Sequence, residues 1–423
     1  MKISKLWHFV KKLEPVIIVF FLLCFWDFSI PPFLPLTRGA INAGSYLFLL
    51  LLILGHWKKF IYVITRDILL LLLIAITLSS IFWSAAPEYT SDETKAVLRA
   101  TLFGVYLATR YSLREQRHIF TWLFSISALL SVPASLVLPA YGINSEGQWR
   151  GIFVHKQYLA RMMTIGAGLF VLTAFYERKH RWIALSGAGL AVALILLSQS
   201  KSALILLLFS LSVVPLSKVI KQDYKLQVFF YIVVLLIASV VAILILSNIE
   251  TIVVDTLGKD MDFNGRVPIW NLSIEAGLKR PWLGYGYAGF WTSDEALYIL
   301  HNTWASVAAK EEARFHAHNG FIDLFLELGV VGVSIFILHL FGVFLRLFFL
   351  IPLIPTIESF WLLISTTLFV LYNLSEAKTF VGNHSLWIMY VSIAFSTALQ
   401  QDRTRKKQGS KLLRNKYNNY VLE

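Results

Sequence analysis

The sequence is short of cysteine and short of charge. Cys24 is its one cysteine, so no intramolecular disulfide can form and no cysteine pair is available to a zinc site. Charged residues make up 15% of the chain against 57% hydrophobic ones, a balance too apolar for an ordinary soluble domain. No internal repeat and no low-complexity tract breaks the pattern. No small-residue cleavage motif follows the first apolar run. The stretch led by Lys2, Lys5, Lys11 and Lys12 therefore reads as a signal-anchor rather than a removed peptide.

What fills the chain instead is a succession of apolar runs of membrane-spanning length. Twelve spans are expected, at 15–35, 39–55, 67–83, 96–110, 118–138, 158–176, 182–198, 202–217, 227–247, 319–345, 357–373 and 384–400. The fold class is thus an all-α polytopic membrane protein, with residues 1–423 forming one integral membrane domain. The net charge of +13 does not point to nucleic acid, because the basic residues fall in alternate loops. Lys58, Lys59 and Arg66, then Arg110, Arg114 and Arg117, then Arg178, Lys179 and Arg181, then Lys218, Lys221 and Lys225 mark one side. Arg403, Arg405, Lys406, Lys407, Lys411, Arg414 and Lys416 mark the same side at the tail. That side is expected to be the cytoplasm, with both termini in it and the basic tail facing lipid headgroups. Residues 248–318 form one large outward loop between spans nine and ten, containing amphipathic helices; loops of that length are usually functional.

Polar groups break the apolar pattern at four outward places. WRGIFVHKQYLAR (149–161) carries Arg150, His155, Lys156 and Arg161 into span six. SQSKS (198–202) puts Lys201 in a hinge between two apolar runs. GRVPIWNLSIEAGLKRPWLGYG (265–286) lies inside the long loop, and HAHNGFIDLFLELGVVG (316–332) opens span ten. Ionisable groups at or within a membrane are costly and are functional candidates by default. The bland readings are headgroup anchoring for Arg150 and Arg161, snorkelling for Lys201, and a packed interfacial ring for His155. His316 and His318 are harder to set aside, since Asn319 adjoins them. Asn319, Asp323 and Glu327 recur every fourth residue, which predicts one polar helical face turned to the bundle interior or a wet cavity. On a straight helix Glu327 would lie ~12 Å along from Asn319. Gly329 and Gly332 predict close helix packing beside it.

Arg266 opens a predicted helix with Asn264 as cap and Pro268 in its first turn. Val267, Trp270, Ile274 and Leu278 form its apolar stripe, Pro281 stops it, and it is expected on the membrane surface. Arg266 at the positive end, together with Lys201, favours an anion such as a phosphate. GYGYAG (284–289) matches G-x-G-x-x-G, but no predicted strand precedes it, so a dinucleotide site is not supported. Its aromatics suit an interfacial belt or a surface for stacking sugars. The His316-x-His318 pair has no further ligands at zinc spacing, so neither a metal nor another cofactor is expected.

RGIFVHKQYLA, SQSKS, the GR…W…PWLGYG segment and HAHNGFIDLFLELGVVG, in that order, resemble the O-antigen ligase superfamily, which includes exopolysaccharide polymerases. The resemblance covers roughly residues 145–335 by motif and the whole chain by topology. It implies a metal-independent, inverting glycosyltransferase in the bacterial cytoplasmic membrane, working on its outer face. The donor would be a glycan on undecaprenyl pyrophosphate, and the acceptor another glycan or a glycolipid. By the same resemblance Arg266 contacts the pyrophosphate and His318, or His316 beside it, serves as general base or orients the acceptor. Substrate contacts are expected from Lys201, Arg150, His155, Lys156, Arg161, Asn319, Asp323 and Glu327. Lys201 stands where many ligases carry arginine, and with the HKQ stretch this resembles the polymerase branch more closely. The rival readings are an O-antigen ligase passing glycan to lipid A–core and, in another class, a transporter or flippase of lipid-linked glycan. Inverted repeats and broken midplane helices would mark a transporter.

Overall fold

The computed structural model describes residues 2–29, 37–220, 266–306, 315–375 and 384–422. The described residues are helical nearly throughout, and among them extended pairing is confined to isolated bridges, Phe28 with Phe153 and Ile143 with Trp149. The helices are α1 (Lys2–Cys24), α2 (Arg38–Gly55), α3 (Trp57–Ile64), α4 (Ile68–Ser79), α5 (Pro87–Arg110), α6 (Leu113–Val137) and the single turn α7 (Pro139–Gly142). There follow α8 (Lys156–Tyr176), α9 (Arg181–Ser198), α10 (Lys201–Ile220), α11 (Arg266–Gly277), α12 (Asp294–His301), α13 (Gly320–Leu350), α14 (Thr356–Ser375) and α15 (Ser385–Leu422).

Six helices among the described residues are long and apolar enough to cross a membrane. A seventh is added if Trp57–Ile64 and Ile68–Phe82, bent by 94°, count as one broken span. The protein is therefore a multi-pass, all-α membrane protein. This count falls short of the twelve expected spans. The run at 227–247 lies outside the described residues, as do 248–265 and 307–314 of the long loop. The apolar parts of α1 and α10 are shorter, at Leu13–Cys24 and Lys201–Pro215. Trp361, Trp387, Phe120 and Phe124 are fully buried where α6, α14 and α15 contribute to one apolar core.

The largest departure from the sequence reading is in α13. The helix is broken at Gly329, whose backbone sits at φ 62, ψ −166, a region open essentially to glycine alone. Two side chains fifteen positions apart on a straight helix are separated by about 22 Å along its axis. The rings of Phe321 and Phe336 are 6.3 Å apart. The arm from Gly320 to Leu328 therefore folds back on the rest of α13. The expected stripe of Asn319, Asp323 and Glu327 does not descend a straight span; it belongs to this short arm. Gly329 does permit a close approach, but the partner is loop backbone rather than a second helix.

That loop is 281–287, and it is bonded through the break. Pro281 O accepts from Val330 N at 2.8 Å, Trp282 O from Val331 N at 3.2 Å, and Leu326 O from Tyr285 N at 2.8 Å. Helix ends leave backbone groups without partners, and here the loop supplies them. Its other edge is held by the α4–α5 turn. Ala85 N donates to Tyr285 O at 2.8 Å, Tyr287 N to Ser80 Oγ at 2.9 Å, and Trp83 Nε1 to Leu283 O at 3.0 Å. Tyr285, Tyr287 and Phe290 are buried, so the GYGYAG aromatics form neither an interfacial belt nor a stacking surface. Burial, with the negative field of Glu327 and Glu93, keeps the Tyr287 phenol far above its ordinary pKa, so it stays neutral.

Several charges inside the bundle are paired across helices. Asp67, the N-cap of α4, accepts from Arg346 at 2.6 Å and lies 3.1 Å from Nε2 of the fully buried His339. His339 Nδ1 is 2.8 Å from the Tyr390 hydroxyl. Arg117 pairs with Glu177 at 2.5 Å and Glu358 at 3.4 Å, and Glu14 receives Arg110 Nε at 3.2 Å.

A methyl group at Gly329 would stand 2.3 Å from the Trp282 carbonyl carbon and require a forbidden φ, whereas one at Gly342 meets nothing within 4 Å. Gly329→Ala is expected to destabilise the protein by roughly 3 kcal/mol or more, and Gly342→Ala by less than about 1. Thermal unfolding of the two variants in detergent checks this; equal melting temperatures would contradict the threaded break.

Candidate functional site

The segment just before α13 is short and built under tension. Phe315, His316, Ala317 and His318 pass between the arm of α13 and α11. His318 adopts φ 54, in the left-handed region that a non-glycine residue seldom occupies. Such conformations survive only where the surroundings enforce them, and they gather at functional sites. Here the braces are visible. Asp323 Oδ1 accepts from Ala317 N at 3.0 Å and from Trp291 Nε1 at 2.8 Å. Trp270 Nε1 donates to Ala317 O at 2.7 Å. Both polar groups of the Ala317 backbone are thus fixed, one by α13 and one by α11. Asp323 is 8% exposed, so its carboxylate bonds act in a site of reduced dielectric.

The two imidazoles meet at 4.2 Å between centroids. His316 Nδ1 accepts the backbone N–H of His318 at 3.2 Å. That bond uses the Nδ1 lone pair and requires the Nε2–H tautomer of a neutral ring. Aromatic rings wall the pair: Trp304 lies 6.1 Å and Phe315 6.0 Å from His318, and Trp291 packs 4.9 Å from Phe315. Both histidines are half-buried. Asn319 is the N-cap of α13, its Oδ1 accepting from Phe321 N at 3.0 Å and Ile322 N at 3.3 Å. Glu327 lies at the far end of the arm, beside the break and Gly284, near enough to influence Tyr287.

Arg266 begins α11 and is half-buried, one helical turn before the Trp270 that grips the histidine segment. The expected cap, Asn264, lies outside the described residues. The buried face of α11 is not the predicted stripe but Ile269, Ser273, Ala276 and Gly277. Phe325 of the arm packs against Gly277 so closely that a Cβ there would lie 2.3 Å from its ring. Ile274 and Leu278 of the predicted stripe remain exposed.

Other candidates form a second group around the turn before α8. Arg150, His155 and Lys156 line one cavity of about 510 Å³ with Asn144, Glu146 and Gln157. Arg150 spends its guanidinium on carbonyls of its own turn: Tyr141 at 2.9 Å, Ala140 at 3.3 Å and Val154 at 3.4 Å. His155 is the exposed N-cap residue of α8. Arg161, one turn in, is buried 5.3 Å over the Tyr158 ring and 5.9 Å from that of Tyr372. Lys201 is the exposed first residue of α10, after a left-handed Gln199 that turns the chain. Trp149 N bonds Leu197 O at 3.1 Å and so anchors the Arg150 turn to the end of α9 beside that hinge.

Residues 186–337 match the family model described as O-Antigen ligase. The chain is also 24% identical over 304 residues to the exopolysaccharide production protein ExoQ of Rhizobium meliloti (strain 1021). That alignment takes in 66% of this chain and 63% of the relative, so the chain spans under two thirds of that protein's length. Over residues 186–337 the chain is similar to the O-antigen ligase family. The stretch matched to the O-antigen ligase model contains Lys201, Arg266, His316, His318, Asn319, Asp323 and Glu327, and begins after Arg150, His155, Lys156 and Arg161.

Several polar residues of this O-antigen ligase relative escaped the sequence reading. By sequence Trp270 belongs to an apolar stripe and Trp291 to the loop aromatics, and nothing singles out Trp304; in the structure Trp270 and Trp291 brace the histidine segment and Trp304 packs against His318. Asp27 joins the second group through Arg38 at 3.4 Å and His384 at 3.6 Å, and Tyr158 stacks 6.4 Å from His384. The one hint was Asp27 itself, a carboxylate closing an apolar run.

Asp323→Asn should loosen residues 315–319 without unfolding the bundle, because it weakens charge-assisted bonds worth roughly 1–3 kcal/mol. Amide exchange of Ala317 and His318 should quicken by about tenfold. Unchanged exchange in that variant would show that Asp323 does not brace the segment.

Proposed function

We propose that this protein is a membrane glycosyltransferase that polymerises lipid-linked oligosaccharide repeat units. The observation that carries the reading is the strained His318, braced through Ala317 by Asp323 and by the helix that Arg266 begins. Strain held in place by two independent elements suits a group that must meet a reacting atom at fixed geometry. The resemblance to the polymerase branch, and a relative whose name is exopolysaccharide production protein, support the substrate class.

In this proposal an acceptor hydroxyl attacks the anomeric carbon of a glycan carried on undecaprenyl pyrophosphate. The hydroxyl attacks the face opposite the leaving pyrophosphate, so the configuration inverts, and His318 takes the hydroxyl proton as the new C–O bond forms. The bond from the anomeric carbon to the pyrophosphate oxygen breaks, and the electron pair leaves with the lipid pyrophosphate. Arg266 stabilises the charge that gathers there, as a preorganised cation does in a site of low dielectric. His316, whose Nδ1 is already engaged by the His318 backbone, positions rather than accepts. Lys201, Arg161, Lys156, His155 and Arg150 hold substrate phosphate or sugar on the same face, and Asn319 and Glu327 shape its edges. No metal or cofactor enters the scheme.

The accompanying topology has twelve spans, both termini in the cytoplasm and the site on the outer face of the bacterial inner membrane. The family description favours a second reading, an O-antigen ligase with lipid A–core as acceptor.

The test is a gel of lipid-linked and cell-surface glycan from cells carrying wild type, Arg266→Ala, His318→Ala or no protein. The proposal expects both variants, made at normal levels, to lose at least about 99% of polymer, the scale of a lost acid–base or charge-stabilising group. Single repeat units should accumulate on the carrier. Long carrier-bound chains would favour the ligase, and unchanged glycan would overturn both.

A further inference from the structure

At the opposite end of the bundle from the histidine segment, a second cationic cavity opens. Lys59, Arg110 and Arg403 line a space of about 230 Å³ together with Glu115, Leu113 and Leu399. The three cations come from α3, the end of α5 and α15, so no single helix surface explains their convergence.

Charge accounting separates this cavity from its neighbours. Arg110 is matched by Glu14 at 3.2 Å, and Glu14 is held in turn by the Tyr106 and Tyr111 hydroxyls at 2.7 Å. Glu115 is engaged by Ser112, whose backbone N–H and hydroxyl each lie 2.8 Å away. Just outside, Arg66 and Lys406 both pair with Asp402, at 3.8 and 3.1 Å. Lys59 and Arg403 have no carboxylate within ion-pair distance among the described residues. The cavity keeps a surplus of positive charge while nearby cations are neutralised.

Its surroundings are those of a membrane interface. α3 lies at 94° to the helix that follows, and Trp57 and Ile61 on it are 52% and 53% exposed. A short helix turned across the bundle axis, with large apolar side chains outward and lysines beside them, has the pattern of an interfacial helix. Leu113 and Leu399 give the cavity an apolar wall where acyl chains would begin.

We propose that this cavity binds a phosphate anion, presented as the phosphodiester headgroup of an anionic lipid in the leaflet on the side of the basic tail. Lys59 and Arg403 are its charge partners, and Arg110 forms the floor. Basic recesses between helices hold such headgroups by charge and shape together, with each nearby cation contributing on the order of a fivefold gain.

The test uses the full-length chain in detergent, titrated with phosphatidylglycerol or with phosphatidylcholine and followed by native mass spectrometry and melting temperature. Saturable retention of phosphatidylglycerol and a raised melting temperature are expected, with no such effect from phosphatidylcholine. Lys59→Gln/Arg403→Gln should retain it about 25-fold more weakly, about fivefold for each lost cation. Lys58→Gln removes a neighbouring charge outside the cavity and should retain it as wild type does. Displacement by millimolar inorganic phosphate would assign the cavity to free phosphate, and resistance to displacement assigns it to the lipid. Equal retention of both lipids, or equal loss in the Lys58 and the Lys59/Arg403 variants, would overturn the proposal.

Discussion

The break in α13 at Gly329 governs the end of the bundle that carries the histidine segment. A membrane helix satisfies its own backbone, so breaking one exposes amides and carbonyls that hydrocarbon cannot serve. The loop 281–287 answers that need by bonding on both sides of the break. Once the loop is threaded there, the arm Gly320–Leu328 must double back, and α11 is drawn against it through Gly277 and Phe325. The histidine segment is then clamped between two helices that would otherwise have no reason to meet. The strain at His318 is the local expression of a tertiary arrangement fixed about ten residues away.

The buried charges sort into two kinds. Asp67 with His339 and Arg346, and Arg117 with Glu177 and Glu358, are matched sets joining distant helices. Removing one member would leave another uncompensated at low dielectric, a loss that usually far exceeds the value of an exposed pair. They hold the bundle together. Near the histidine segment the carboxylate of Asp323 instead grips backbone and indole, and the cations Arg266 and Lys201 stand at helix starts. A donor carrying a pyrophosphate would bring the negative charge that such an arrangement suits.

Much of this was legible in the sequence, and the limits are physical. Apolar runs declared a polytopic helical protein because span length is set by bilayer thickness. The polar residues at 150–161, 201, 266 and 316–327 stood out because charge is rare in such a chain. The break was hidden, since a glycine that permits close packing and one that permits a forbidden φ are the same letter. The periodicity of Asn319, Asp323 and Glu327 was real but described a short arm instead of a long span. GYGYAG looked like a ligand loop or an aromatic belt, and its role in patching a helix break depends on partners more than forty residues away. Asp67 and His339, 272 positions apart, carry no local signal of each other.

The similarity of residues 186–337 to the O-antigen ligase family links this geometry to glycan chemistry, and the decisive step is bond formation. The most direct measurement is glycosyl transfer by the purified full-length protein in liposomes, with a polyprenyl-pyrophosphate-linked oligosaccharide as sole substrate. Longer glycan should appear together with free lipid pyrophosphate from wild type, and neither from His318→Ala. Movement of the lipid-linked glycan across the bilayer with no new glycosidic bond, or undiminished transfer by His318→Ala, would contradict the account.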